Sequence, residues 1–195
     1  AFSMEMSYAD ALLMNDVPNA ILSIITKFIE DPSVIHVCIR IIGNLLHSVS
    51  IAATQLEEIL ALTTPVVKQE GCDNNMLIDT FHMYENAALN ATDYASLLAS
   101  QNVVDTTMIL LEKHIKEDFI VHAALDAIVA NTVPLDSHLQ VATKEGMNVI
   151  CTVLTLYKES NIDLYARGIM IFNNLSINPS MTYSVLNKSI ITIAL

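Results

Sequence analysis

The feature of this 195-residue chain that most restricts its fold is a motif that returns about every 43 residues. Four apolar stretches each end near an asparagine and lead into a turn region: CIRIIGNLLHS, TFHMYENAALN, LDAIVANTVPL and GIMIFNNLSIN. The asparagines are Asn44, Asn86, Asn131 and Asn174, with spacings of 42, 45 and 43 residues. Self-similarity at such a period is typical of repeat architectures, in which each unit stacks on its neighbours.

A second marker recurs in phase with the asparagines. Counting 27 residues back from each asparagine gives Val17, Ile59, Val104 and Met147, which all lie in a second apolar stretch. Between each asparagine and the next marker lies a shorter amphipathic stretch, such as TDYASLLAS or DSHLQVATKEG. Each unit is therefore predicted to hold a short helix, a longer helix and a third helix. The single repeat domain, 1–195, divides into units at approximately 1–48, 49–90, 91–135 and 136–178, with a partial fifth at 179–195.

Residues that favour helix ends support this division. The predicted helix starts are Pro32 with Ser33, Thr92 or Asp93, Asp136 or Ser137, and Asp163, and Gly146 is the predicted end of the short helix in the fourth unit. Pro65 falls in or beside the second helix of the second unit, so that helix is expected to be kinked or the helices there to be divided differently.

The composition favours an all-helical chain. Hydrophobic residues make up 53% and charged residues only 15%, so much of the chain should be buried, which argues against disorder. The chain has only 4 glycines and 5 prolines. Folds rich in strands need more turn-forming residues than this, and an all-α class is predicted.

The repeat resembles the armadillo family over nearly the whole chain. NDVPNAILSII is similar to the family's Gly-Ala-Ile-Pro-x-Leu-x-x-Leu-Leu opening, with Asn15 where glycine is usual. RIIGNLL and MIFNNLS resemble its Leu-x-Asn-Leu ending. The resemblance implies a right-handed superhelix, an α-solenoid, whose third helices line a concave groove. The related HEAT type, with two helices in each unit, has the same period and stays open.

The third helices give a prediction of which side chains face the core. Two and three residues before each asparagine are residues expected to be buried: Ile42, Tyr84, Val129 and Phe172, and Ile41, Met83, Ile128 and Ile171. The asparagines and the residues four and seven before them share another helix face, which is the expected groove.

The predicted partner-binding residues of that groove are Asn44, Asn86, Asn131 and Asn174, with Arg40, Asp79, His82 and Arg167 beside them. An asparagine amide can donate to and accept from the main chain of an extended peptide, so a row of them would hold a partner segment. The alternative is that each asparagine bonds a neighbouring helix end and ties the repeats together.

The resemblance also separates this chain from one armadillo group. Importin-α-like nuclear import adaptors place a tryptophan four residues before the asparagine to hold lysine stems, and this chain has no tryptophan. The expected function is a scaffold or adaptor that binds a protein segment. Two alternatives are a regulator of a small GTPase or chaperone ATPase, of exchange-factor or co-chaperone type, and an architectural segment of a cytoskeletal or trafficking protein.

The net charge of −12, from 21 acidic and 9 basic residues, argues against a nucleic-acid partner and against an anionic membrane surface. The acidity is expected on loops and outer helices, at Glu57, Glu58, Glu70, Asp73, Glu117 and Asp118. A basic protein partner remains compatible with it.

No pattern of catalytic chemistry is present, so an enzyme is not expected. His82 and Glu85 lie one helical turn apart near Asp79, but no further ligand has matching spacing, and neither a metal nor a cofactor is predicted. No glycine-rich phosphate loop occurs. The three cysteines form no CxxC pair, and no apolar run reaches the roughly 18 residues of a membrane span. A reducing, cytoplasmic location is expected, for a piece of a longer array.

Overall fold

A computed structural model describes residues 12–13, 16–90 and 94–179. In that part the chain is all-helical, as predicted, with ten α-helices and no strand. The helices are α1 (Val17–Lys27), α2 (Pro32–Ser48), α3 (Ala53–Val67), α4 (Asn74–Asn90), α5 (Tyr94–Ser100), α6 (Val103–Lys113), α7 (Asp118–Asn131), α8 (His138–Val141), α9 (Lys144–Tyr157) and α10 (Ile162–Ser176), with a 3₁₀-helix at Leu135–Ser137.

The helices that end near the four asparagines form one layer. In chain order α2 packs on α4, α4 on α7, and α7 on α10. We call these four the third-helix layer. The second layer consists of α1, α3, α6 and α9, in which α1 packs on α3 and α6 on α9. Each of these four helices also contacts the next helix of the third-helix layer along the chain. One connected apolar core runs between the layers, with fully buried side chains such as Ile25, Ile39, Leu60, Phe81 and Leu125.

Two helices of the third-helix layer, α2 and α10, begin at polar residues whose side chains cap the helix. Asp31 caps α2 by accepting hydrogen bonds from the backbone N–H of Ser33 at 3.0 Å and Val34 at 3.4 Å, and Pro32 takes the first helical position as predicted. At α10 the prediction is wrong by two residues. The cap is Asn161, whose side chain accepts from the Leu164 N–H at 3.3 Å, while Asp163 lies inside the first turn.

The second unit has no separate short helix, so the prediction of three helices is wrong there. Residues 49–52 are not helical, and α3 then runs without interruption past Pro65 to Val67. The Ile51 side chain is buried and its carbonyl accepts a hydrogen bond from the Tyr94 hydroxyl. These contacts hold residues 49–52 as a non-helical connection between α2 and α3. Pro65 has no N–H to bond the Ala61 carbonyl, so the helix continues past it without that bond.

The fourth unit also differs from prediction. Its first helix is only the 3₁₀ turn and the four residues of α8, and it ends at Val141 rather than at Gly146. Thr143 caps the next helix by accepting from the Gly146 N–H at 3.0 Å. Gly146 therefore lies in the first turn of α9, and a capping threonine overrides the expected glycine stop.

Two non-glycine residues take left-handed backbone conformations just before second-layer helices. Asp16 (φ 55°) precedes α1, and Asn102 (φ 52°) precedes α6. Asparagine and aspartate tolerate this region better than most residues, and glycine favours it. Three residues named in the sequence analysis lie outside the described residues: Asn15, Thr92 and Asp93. Residues 180–195 of the partial fifth unit lie outside them as well.

The prediction of core positions in the third helices is correct except at one residue. Ile42, Tyr84, Met83, Ile128 and Ile171 are fully buried, Phe172 is 8% exposed and Val129 is half-buried. Ile41, however, is 39% exposed. The equivalent Met83 packs against Gly43 of α2, the helix before it in the third-helix layer. Among the described residues no helix of that layer comes before α2 to cover Ile41 in the same way.

In the described part of the chain, no single helix combines the length and the apolar composition needed to cross a membrane. The segments Asp118–Asn131 and Leu135–Val141 meet both criteria only as a pair, and that pair is bent by 116°.

Candidate functional site

The recurring asparagines join neighbouring helices of the third-helix layer. The Asn86 amide donates to the Gly43 carbonyl of α2 at 3.0 Å. The Asn174 amide donates to the Val129 carbonyl at 3.2 Å and to the Thr132 hydroxyl at the same distance. Helix carbonyls keep a second lone pair beyond their own helical bond, so such an amide can bond the helix before it without breaking it. These contacts favour the alternative in which the asparagines tie the units together.

Asn131 makes the same kind of bond from inside the core. Its amide donates to the Tyr84 carbonyl of α4 at 3.4 Å and to the Ala127 carbonyl of its own helix at 2.8 Å, and only 2% of the residue is exposed. The expectation that the asparagine row stands clear of the core is therefore wrong for Asn131. Tight packing between α4 and α7 leaves no room for a ligand at this side chain.

A second asparagine in α4 reinforces the joint and was not predicted. The Asn90 amide donates to the Leu46 carbonyl and, at 2.8 Å, to the Val49 carbonyl, both at the end of α2. Carbonyls in a last helical turn lack helical partners, so Asn90 satisfies groups that would otherwise be left to water. The spacing of four residues from Asn86 placed it on the same helix face and was the available signal.

Asn44 differs from the other three. It is exposed, and among the described residues its side chain makes no hydrogen bond. It lies on α2, the first helix of the third-helix layer among the described residues, so within them no earlier helix of that layer offers it a carbonyl.

Two of the predicted groove residues, Asp79 and Arg167, contact a polar side chain of the helix before them in the layer. Asp79 of α4 lies 2.8 Å from Nε2 of His36 in α2. Arg167 of α10 pairs with Asp126 of α7, whose other carboxylate oxygen lies 3.1 Å from Nδ1 of His122. Their partners were not predicted, because none of them lies four or seven residues before an asparagine, which is the spacing that defined the expected groove. These partners are His36, Asp126 and His122.

The other two predicted groove residues have free polar groups. Arg40 and His82 are both exposed, and neither side chain makes a hydrogen bond or a close ion pair within residues 16–90 or 94–179. Arg40 lies on α2 and His82 on α4. Of the predicted set they are the charged or titratable side chains available to a partner.

Glu85 of α4 interacts electrostatically with side chains of three helices of the layer: Asp126, His82, His122 and Arg167. Burial of its carboxyl group raises its pKa, and the negative charge of Asp126 raises it further. His82, His122 and Arg167 act in the opposite direction without cancelling the effect. The pKa of Glu85 is therefore raised from its usual value of 4.5, which makes its charged form a cost to the folded state at neutral pH.

We expect Glu85→Gln to stabilise the protein at neutral pH and to lose that advantage in acid. Between 4.5 and the raised pKa, the folded chain binds more protons than the unfolded chain, so the free energy of unfolding falls as pH rises. Glutamine removes that decrease. Urea unfolding at pH 4 and pH 7 measures it, with Glu58→Gln, an exposed carboxyl on α3, as the control. An advantage that is larger at pH 4 would contradict the account.

A cleft opens between α4 and α7 near the start of both helices. It has a volume of about 500 Å³ and its walls include Ile78, His82 and Ala123, with Phe119 and His122 on the α7 side. Phe119 is 84% exposed, the highest value among the exposed large hydrophobic side chains of the described chain. A bare aromatic ring beside a cleft is a common anchor point for a binding partner.

Two carboxylates on the same cleft wall are held in place by other helices. Glu117 accepts a hydrogen bond from the Asn74 amide at 2.6 Å and lies 2.8 Å from Nδ1 of His114. Asp118 accepts from the Tyr157 hydroxyl at 3.0 Å. Burial together with the Asp118 carboxylate raises the pKa of Tyr157 to about 12. Both acids therefore present oriented negative charge beside Phe119.

The predicted acidic residues lie at the surface of the protein, as expected for loops and outer helices. All six are exposed, on α3, on the loops that lead into α4 and α7, or at the first residue of α7: Glu57, Glu58, Glu70, Asp73, Glu117 and Asp118. Within the described ranges, no group of three or more histidine, cysteine, aspartate or glutamate side chains is arranged to hold a metal ion.

No protein-family model matches the sequence, and no curated protein matches it either. The fold is similar to the crystal structure of an engineered protein, a target of the Northeast Structural Genomics Consortium. The TM-score is 0.78 at 12% sequence identity, over 96% of this chain and 74% of that chain. At this identity the similarity supports a shared helical fold and no shared function.

Proposed function

We propose that this chain is a non-enzymatic scaffold of armadillo type that binds a segment of a partner protein on its third-helix layer. The proposal rests on units that repeat every 42 to 45 residues. It also rests on hydrogen bonds from asparagine side chains to the preceding helix of the layer, which join residues 43 to 47 positions apart in the sequence. These features favour a right-handed α-solenoid, with the exposed side of the third-helix layer as its groove.

The cleft beside Phe119 is the observation that carries this proposal. A ring that is 84% exposed costs solubility, and nothing in the described fold uses it for packing. His82 and His122 border the same cleft and supply polar groups that can orient a ligand. A partner side chain that covers the ring would recover the apolar contact that the free protein lacks.

The partner segment is proposed to carry arginine or lysine. A cation above the face of Phe119 would gain a cation–π interaction, and the carboxylates of Glu117 and Asp118 lie beside it on the same wall. The net charge of −12 would attract such a segment from a distance. In this proposal the asparagine row stabilises the groove, and the cleft makes the contact with the partner.

We expect Phe119→Ala to weaken the binding of a basic segment at least about tenfold, because truncating a central aromatic anchor costs about 2 kcal/mol or more. Random 12-residue peptides displayed on phage are selected on the wild-type protein, and the enriched peptides are then measured against both proteins by fluorescence anisotropy. Leu139→Ala is the matched control, since Leu139 is 70% exposed on α8, outside the third-helix layer.

The proposal predicts that enriched peptides contain arginine or lysine, bind the control variant as well as the wild type, and bind more weakly as salt is added. Equal binding to the wild type and Phe119→Ala would place the binding surface elsewhere. If no peptide is enriched, the proposal of a segment-binding scaffold is contradicted. The result would then favour the alternative of a regulator that binds a folded domain.

A further inference from the structure

The half-buried carboxyl group of Glu85 has no bonding partner in the free protein. Among the described residues its side chain makes no hydrogen bond and no close ion pair, so its charged form at neutral pH is a cost to the fold. A charge that destabilises the fold and has no bond within it is a common mark of a functional position. We therefore searched the surroundings of Glu85 for features that fit a ligand.

The charged groups around Glu85 leave it without a compensating positive charge. His82 lies on the same helix, α4, while Asp126 and His122 act on it from α7 and Arg167 from α10. Arg167 already pairs with Asp126. With both histidines neutral, the cluster holds two carboxylates and one guanidinium group, so one further cation would neutralise it.

The surface next to Glu85 fits the aliphatic stem of a lysine or an arginine. His82 lies three residues before Glu85 and Leu89 four residues after it, so all three share one face of α4. Leu89 is 65% exposed. Lysine and arginine cover apolar surface with their methylene groups while the charged end reaches a polar partner. Since His82 also borders the Phe119 cleft, this face continues the proposed binding surface along α4.

We propose that Glu85 is a second contact for the basic segment that binds at Phe119, and that it takes a separate lysine or arginine whose stem lies on Leu89. The inference rests on the proposed function and adds one named contact to it. From Ile78 in the cleft wall to Glu85, α4 rises by about 10 Å along its axis. An extended segment covers that length in about three residues, so the partner is expected to carry two basic residues at about that spacing.

Glu85→Gln is expected to change binding and stability in opposite directions. It should weaken the binding of the selected basic peptides about tenfold at pH 7, because a charge-assisted contact becomes a neutral one, although it stabilises the free protein. Burial raises the pKa of Glu85 above 4.5, so at pH 4 the wild-type side chain is mostly neutral and the two proteins should bind alike. Fluorescence anisotropy measures both conditions, and Glu58→Gln, an exposed carboxyl on α3, should bind as the wild type does.

The two proposals fail in different ways. Peptides that bind Glu85→Gln as tightly as the wild type, but lose affinity for Phe119→Ala, would overturn the inference about Glu85 and leave the proposed function intact. Peptides that bind all three proteins equally would contradict both.

A smaller probe tests Glu85 without a selected peptide. N-acetylarginine methylamide carries one guanidinium group and no carboxylate. Added to the wild type, it should shift the Leu89 methyl signals in NMR spectra more than sodium chloride at the same ionic strength does, and in Glu85→Gln it should not. Leu89 signals that respond alike in the two proteins would overturn the inference.

Discussion

Replacing Asn131 by alanine should lower the free energy of unfolding by about 2–3 kcal/mol, because it removes a buried amide that joins two helices. Asn131 is 2% exposed and donates to the Tyr84 carbonyl of α4 and to the Ala127 carbonyl of its own helix. Alanine also leaves a small void where α4 and α7 pack, which adds to the cost. Urea unfolding followed by circular dichroism measures the change.

Asn44→Ala is the matched control for this substitution. It makes the same chemical change at the equivalent position of α2, where the side chain is exposed and without a hydrogen bond among the described residues. Its expected effect is within about 0.5 kcal/mol, as for most surface substitutions. If both variants were equally stable, the asparagine row would contribute nothing to the joints between helices, and its role as a tie would be lost.

Gly146→Ala should also destabilise the fold by about 2–3 kcal/mol, although alanine is the better helix former by about 1 kcal/mol. An added Cβ atom would lie 2.5 Å from the backbone oxygen of Val141 and 3.1 Å from the hydroxyl oxygen of Thr143. The backbone oxygen cannot rotate away as a side chain can. The start of α9 must therefore move, and the Thr143 cap moves with it.

Gly43→Ala provides the comparison, since Gly43 lies inside a helix and the change is the same. Its added Cβ would meet Met83 at 3.4 Å, an ordinary contact distance, so the effect should be small or stabilising. Thermal unfolding of the two variants beside the wild type separates them. A stable Gly146→Ala protein would mean that the short connection between α8 and α9 is looser than the structure shows.

The sequence predicted the helical class and the third-helix layer correctly because both depend on strong periodic signals. Apolar residues at helical spacing define α2, α4, α7 and α10, and the asparagines mark where those helices near their ends. Most of the core residues assigned from those spacings are buried. Pro32 also marks the start of α2, since a proline is favoured at the first helical position.

The sequence failed where neighbouring units decide the outcome. Ile41 has the same local pattern as Ile128, but α4 packs on the helix that carries Ile128, whereas no described helix of the third-helix layer comes before the one that carries Ile41. The pairing of Arg167 with Asp126 depends on how α7 and α10 are offset, which no single-helix pattern contains. Phe119 is apolar, yet its side chain is exposed at the start of α7, and the spacings from the asparagines gave no assignment for it.

An NMR titration of the protein with a basic peptide that it has been selected to bind separates a structural role of the asparagines from a binding role. We expect the side-chain amides of Asn86, Asn131 and Asn174 to exchange slowly with solvent and to keep their chemical shifts on binding, while signals of His82, Phe119 and His122 shift. If the three amides exchange as fast as that of Asn44 and shift when the peptide binds, the asparagine row is the binding site, and its role as a tie between helices is contradicted.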